Sequence, residues 1–213
     1  MKKAVIFDLD GTLWDASQSV TDSFNIALQN MGIERRITLA EMRSQMGKTL
    51  EEIAHVFFDC VDPEHAVEIM VNCTNFENTY ILTHGGVLYP NLRPTLEWLR
   101  AQGYGVICVS NCQSGYIEAF LGFHKLGDLF DDTECWGNTG RMKADSIKAV
   151  VRRNQIENAV YVGDTMGDYI SAKEAGTDFI HAAYGYGTVP PGTAFVDALE
   201  KLPDAVEAVF GGR

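Results

Sequence analysis

Short apolar runs separated by stretches of helical spacing organise this chain. Ala4-Val5-Ile6-Phe7, Val106-Ile107-Cys108-Val109 and Ala159-Val160-Tyr161-Val162 are unbroken apolar segments, and Phe179-Ile180-His181-Ala182-Ala183 is nearly so. Continuous rather than alternating apolarity is the pattern of parallel strands buried on both faces. A weaker run covers Phe130 to Trp136. Helical segments fall at about 93–102, 114–123, 143–153 and 167–175, the first and last stopped by Gly103 and Gly176, glycine being common just past a last helical turn. Strands alternating with helices predict right-handed crossovers and an α/β fold with a doubly wound parallel sheet.

Between the first and second strands lie about seventy residues without a strand signal. They read as helices at about 16–31, 39–46, 50–59 and 63–82. Thr38-Leu39-Ala40-Glu41 and Thr49-Leu50-Glu51-Glu52 each fit a capping box. Asp62-Pro63 supplies an N-cap followed by proline at the first helical position. The expected organisation is a core domain of residues 1–14 and 86–213 interrupted by a helical cap domain over 15–85. Hinges are expected near Trp14-Asp15 and Gly85-Gly86.

Composition narrows the partners. The chain has 213 residues, 46% of them hydrophobic, and a formal charge of −12. That acidity argues against nucleic acid or an anionic membrane as the main partner, because both demand clustered Lys and Arg. A small anionic substrate stays admissible, since screening over roughly 8 Å leaves local charges in control. Five scattered cysteines without a Cys-x-x-Cys pair give neither a disulfide framework nor a zinc site. The first apolar run meets Asp8 after four residues, too short for a secretory leader. A soluble, cytoplasmic protein is expected.

In an open α/β sheet, ligands bind beyond the carboxyl ends of the strands. The first strand ends Asp8-Leu9-Asp10-Gly11-Thr12, the second Ser110-Asn111, and a later one Asp164-Thr165-Met166-Gly167-Asp168; Lys143 opens the helix before that strand. Each has an ordinary explanation alone: a turn at Asp10-Gly11, helix caps at Thr12, Ser110 or Asp164, a dipole partner in Asp168, a surface lysine. Together they conflict with it. Two like charges 4 Å apart at an effective dielectric near 20 repel by about 4 kcal/mol, against about 1 kcal/mol for a cap. A cation is required, and carboxylates without His or Cys select a hard ion, Mg²⁺ over Ca²⁺ where few acids leave open positions.

The same residues carry a resemblance. Phe7-Asp8-Leu9-Asp10-Gly11-Thr12-Leu13, Ser110-Asn111, Lys143 and Gly163-Asp164-Thr165-x-x-Asp168 resemble, in order, the four motifs of the haloacid dehalogenase superfamily, whose core is a Rossmann-like sheet. The helical insertion resembles that superfamily's C1 cap, as in phosphoglycolate phosphatase and β-phosphoglucomutase relatives. The resemblance implies that Asp8 is the nucleophile, forming an aspartyl phosphate, and that Asp10 is the acid and then the base. It implies Mg²⁺ held by Asp8, the backbone carbonyl of Asp10 and Asp164, with Asp168 acting through water or from behind. It gives Ser110, the Asn111 amide and Lys143 to the phosphoryl oxygens. An acid at position 10 points to an alcohol leaving group, hence a phosphatase acting on a small phosphorylated metabolite.

Trp14, Gln18, Arg43 and Lys48 are candidates to face the substrate from the cap, since they flank the hinges or the loop at Gly47. Lys48 has a place like that of the Schiff-base lysine of phosphonatases, an assignment that Asp10 argues against. Tyr184-Gly185-Tyr186-Gly187 resembles a family loop after the last strand. The rivals are a phosphomutase, which uses the same residues, and a non-catalytic phospho-signalling module of the receiver type, which has no need of a seventy-residue lid.

Overall fold

The computed structural model describes residues 2–212. Its main sheet has six strands in the order β5-β4-β1-β6-β7-β8, all parallel: β1 (Lys3–Phe7), β4 (Gly105–Ser110), β5 (Asp132–Cys135), β6 (Asn158–Gly163), β7 (Asp178–Ala182) and β8 (Phe195–Val196). The first strand in sequence is central, with Val5 in register with Val106 on one side and Val160 on the other. Pleating divides its residues between two layers. Val5 and Phe7 pack with α5 (Leu92–Ala101), α6 (Tyr116–His124) and α10 (Leu202–Gly211), whereas Ala4 and Ile6 pack with α8 (Lys143–Arg153) and α9 (Met166–Ala175). Covering both faces explains why the runs read as continuously apolar.

The insertion is helical as expected: α1 (Ser17–Asn30), α2 (Leu39–Gln45), α3 (Leu50–Phe57) and α4 (Pro63–His84). Both capping boxes form, Thr38 with Glu41 and Thr49 with Glu52, and the Asp62 side chain accepts from the His65 N–H. Where the insertion leaves and rejoins the core, β2 (Trp14–Asp15) and β3 (Val87–Leu88) pair as an antiparallel ribbon. Gly85 takes φ 61°, and a Cβ there would lie 2.1 Å from the Phe123 ring, so glycine alone fits.

The structure adds elements that the pattern reading leaves out. β2, β3 and β8 have two residues each, too few for a period to show. The C-terminal helix α10 carries a legible signal, Pro203 in its first turn and Leu202, Val206 and Phe210 on one buried face. The weak run at 130–136 is the edge strand β5, weak because Asp132, Thr133 and Glu134 hold Arg153 rather than fill a core.

Candidate active site

The carboxyl ends of β1, β4 and β6 meet in one crevice. The Asp8 N–H continues the sheet by bonding the Val162 carbonyl at 2.9 Å, which places the side chain at the strand's exit. At Gly11 the chain turns with φ 81°, and a Cβ there would stand 2.4 Å from Asp164 Oδ2. Lys143, buried at the start of α8, donates to Asp8 Oδ1 at 2.8 Å and to Asp168 Oδ1 at 2.6 Å. The other Asp168 oxygen accepts from the Thr165 backbone N–H (2.9 Å) and hydroxyl (2.7 Å), closing the capping box of α9. Asp168 thus holds a helix start and a buried lysine at once. Asp164 Oδ2 accepts the Tyr186 N–H at 2.7 Å.

Charge does not balance in this crevice. Carboxylate oxygens of Asp8, Asp164 and Asp168 lie within 4.8 Å of one another, all buried, and Lys143 forms ion pairs with Asp8 and Asp168. Burial, then Asp168, pushes Asp8 up to about 6 despite Lys143. Burial, then Asp168 and Asp8, pushes Asp164 up to about 8. Asp10 rises to about 7 through burial and the charge of Asp8, and its Oδ1 accepts the Tyr116 hydroxyl at 3.1 Å. Burial works against the Lys143 charge, yet Asp168 and Asp8 hold its pKa above the ordinary range. A cluster so pushed toward protonation fits a hard divalent cation. Asp8 has one oxygen on Lys143, and Asp164 Oδ1 has only the Thr12 hydroxyl at 3.5 Å, so both have lone pairs to offer it, whereas Asp168 has both oxygens held by short bonds from Lys143 and Thr165.

A cavity of about 60 Å³ opens from Asp8, Asp10, Ser110 and Asn111 into the helical insertion. Its far walls are Phe24, Met42, Met46 and Met70, with Lys48 and Glu77. The insertion is drawn down onto the core: Asn111 Nδ2 donates to the Gly47 carbonyl at 2.9 Å, and Asn78 Nδ2 to the Ser114 carbonyl at 2.8 Å.

The haloacid dehalogenase-like hydrolases match this chain over residues 5–182. The chain belongs to that family. It is an enzyme of the family's phosphatase kind. A phosphoglycolate phosphatase of Pseudomonas fluorescens (strain Pf0-1) is 26% identical over 220 residues, covering 95% of this chain and 79% of the relative. One of Aliivibrio fischeri (strain ATCC 700601 / ES114) is 27% identical over 222 residues, 98% and 93% covered. Among solved structures, CbbY from Rhodobacter sphaeroides, in complex with phosphate, superposes with a TM-score of 0.82 at 19% identity, covering 97% of this chain and 100% of that one. At that identity it shares the fold.

Asp8, Asp10, Ser110, Asn111, Lys143, Asp164 and Asp168 lie together in this crevice, whereas the cap candidates divide. Lys48 lines the cavity, its Nζ on Gln45 Oε1 at 2.8 Å. Trp14 is buried among Tyr116, Phe120 and His124 and holds the ribbon. Gln18 faces solvent and bonds Asp22. Arg43 bonds Asp15 Oδ2 at 2.9 Å and Ser17 Oγ at 3.0 Å, tying α2 to the ribbon. Three residues outside the motifs also belong to the site: Tyr116, Gln113 and Glu77. Tyr186, in the loop after β7, joins both halves, its N–H on Asp164 and its hydroxyl on Asp15 at 2.7 Å. Among the described residues no helix is long and apolar enough to cross a membrane.

Proposed function

We propose that the chain hydrolyses a small phosphate monoester through an aspartyl phosphate on Asp8, with Mg²⁺ as cofactor. The observation that carries the reading is the pairing of two unlike carboxyls at one strand end. Asp8 is gripped by the Lys143 ammonium at 2.8 Å, which favours its carboxylate, while Asp10, two residues on, bonds the Tyr116 hydroxyl instead and is pushed upward by burial and the charge of Asp8, which favours its acid form. Such divergence is how a nucleophile and a general acid are told apart.

An Asp8 oxygen attacks phosphorus, the bond to the ester oxygen breaks, and Asp10 gives its proton to the departing alkoxide. Asp10, now a base, takes a proton from water as that water attacks the acyl phosphate, releasing inorganic phosphate and restoring Asp8. Lys143, the Ser110 hydroxyl and the Asn111 amide hold the phosphoryl oxygens. Asp8, the Asp10 carbonyl and Asp164 would hold the Mg²⁺, which neutralises charge on the transferring group; Asp168 fixes Lys143 from behind. The phosphoglycolate phosphatases among the relatives support a small ester as substrate.

The test is phosphate release from a panel of monoesters with and without Mg²⁺, wild type beside Asp8→Asn. Mg²⁺-dependent release lost in the variant supports the reading; release that survives Asp8→Asn removes the nucleophile. A requirement for a bisphosphate would instead indicate a phosphomutase.

A further inference from the structure

A general acid has to offer its proton from a fixed direction, and a carboxyl has two oxygens on which that proton can sit. At Asp10 a residue outside the strand-end motifs makes the choice between them. Tyr116 is the first residue of α6, which follows the Ser110-Asn111 strand end, and its N–H bonds the Gln113 carbonyl at 3.4 Å. Its side chain is buried, with the ring against Trp14 at 5.7 Å between centroids. The hydroxyl emerges from that packing to meet Asp10 Oδ1 at 3.1 Å, and both residues line the cavity that receives the departing alcohol.

Which group donates follows from the hydrogens available. A phenol carries one, and a buried hydroxyl gives its hydrogen to an acceptor. Among the described residues, Asp10 Oδ1 is the acceptor that the Tyr116 hydroxyl meets, while Glu77, the other acid of the insertion's wall, bonds Gln113 instead. A proton on Oδ1 would leave the phenol hydrogen with nowhere to go. The proton of an acidic Asp10 therefore belongs on Oδ2. The bond to Tyr116 also stops the carboxyl from turning over, and its two ends are held by different elements, the exit of β1 and the start of α6.

We propose that Tyr116 is a positioning residue for the general acid: its hydroxyl holds Asp10 Oδ1, so that Oδ2 gives its proton to the leaving alkoxide and afterwards takes one from the attacking water. This role rests on the phosphatase reading. One hydrogen bond serves both half-reactions, because a carboxylate accepts from the phenol more strongly than the acid does, and the oxygen that Tyr116 leaves free is the one that has just lost its proton.

Leaving-group chemistry separates positioning from packing. Acetate departs from phosphorus without a proton and an alkoxide does not, so acetyl phosphate bypasses Asp10 in the first step, whereas 2-phosphoglycolate and 2-hydroxyethyl phosphate depend on it. Tyr116→Phe keeps the ring and removes one oxygen. With saturating Mg²⁺, its kcat/KM for the better of the two alkyl esters should fall at least about tenfold further than for acetyl phosphate, a share of the roughly 10²–10⁴-fold that a positioned acid supplies. For acetyl phosphate, kcat and KM should fall together, because the slow step becomes hydrolysis of the aspartyl phosphate, in which Asp10 is the base, while kcat/KM reports the transfer to Asp8. Equal losses on both kinds of ester, in a variant that melts within a few degrees of the wild type, make Tyr116 a packing residue and overturn the proposal, as does no loss on either. Wild type that hydrolyses acetyl phosphate but neither alkyl ester has no working acid for Tyr116 to hold; the proposal then falls while Asp8 stands as the nucleophile. No phosphate from any of the three removes the phosphatase reading and this role with it.

Discussion

The crevice at the strand ends and the cavity wall beneath the inserted helices use carboxylates in opposite ways. In the crevice, Asp8, Asp164 and Asp168 crowd round one lysine, and their repulsion is kept in place by sheet, turn and helix cap. In the insertion, Glu77 stands in an apolar wall, held by a single amide. The first arrangement stores charge for a cation and a phosphoryl group to relieve. The second sets one acidic side chain in an otherwise largely apolar wall. The two arrangements occupy different elements, and the ribbon of β2 and β3 is where they join.

The largest effect that separates the halves is on chemistry. Asp8→Asn should lower Mg²⁺-dependent phosphate release by at least about 10³-fold, the scale for losing a nucleophile, while the metal-free Tm falls by no more than a few degrees, because a repelling charge goes with it. Next comes the buried lysine. Lys143→Met leaves Asp8 and Asp168 without their partner, at about 3–5 kcal/mol for a broken buried pair. At pH 8 without metal, Tm should drop by about 10 °C; a drop under about 2 °C would show that the acids are protonated there and the pair is weak.

Third is pH. Asp8, Asp10 and Asp164 have folded pKa values raised from 3.8 to about 6, 7 and 8. The native state therefore binds more protons than the unfolded one, so the contribution is complete below the unfolded value and is lost as pH rises through the folded values. Metal-free Tm should fall by several degrees as pH rises from about 5.5 to about 8.5, since each tenfold difference in proton affinity between the two states carries about 1.4 kcal/mol. Saturating Mg²⁺ should flatten the decline. A Tm that climbs across this window contradicts the charge imbalance. The smallest effect is on the join itself. Arg43 and Asp15 are 48% and 29% exposed at their side chains, so Arg43→Ala should cost under about 1 kcal/mol, seen as a small Tm change beside a KM change of about twofold.

The two halves also differ in how far they can be read from the chain. Asp8 and Asp10 follow directly on an apolar strand run, as does Asp164, with Asp168 one helical turn on. Topology brings those strand ends together, so spacing suffices. Glu77 lies deep in the 22-residue helix α4, between Phe76 and Asn78, and only the packing of that helix over Gln113 distinguishes it from a solvated glutamate. Gln18 and Arg43 show the converse: nearness to a hinge along the chain does not set the direction of a side chain, and α1 and α2 turn these two to solvent and to the ribbon. Tyr186 is legible only as part of an aromatic-glycine loop, because its two partners, Asp164 and Asp15, come from separate and distant parts of the sequence.

The central place of β1 also sets the order of events during synthesis. β1 leaves the ribosome without an immediate partner: Val5 must wait for Val106, and then for Val160. In between, the helices of the insertion can form from local contacts while an apolar strand with two open edges stays unpaired, a long-range pairing that slows folding and exposes sticky surface. Asp8 finds Lys143 and Asp164 only after both have been made, so a truncated or stalled chain carries the nucleophile without its site. The site stays incomplete until β6 and the loop after β7 have been made.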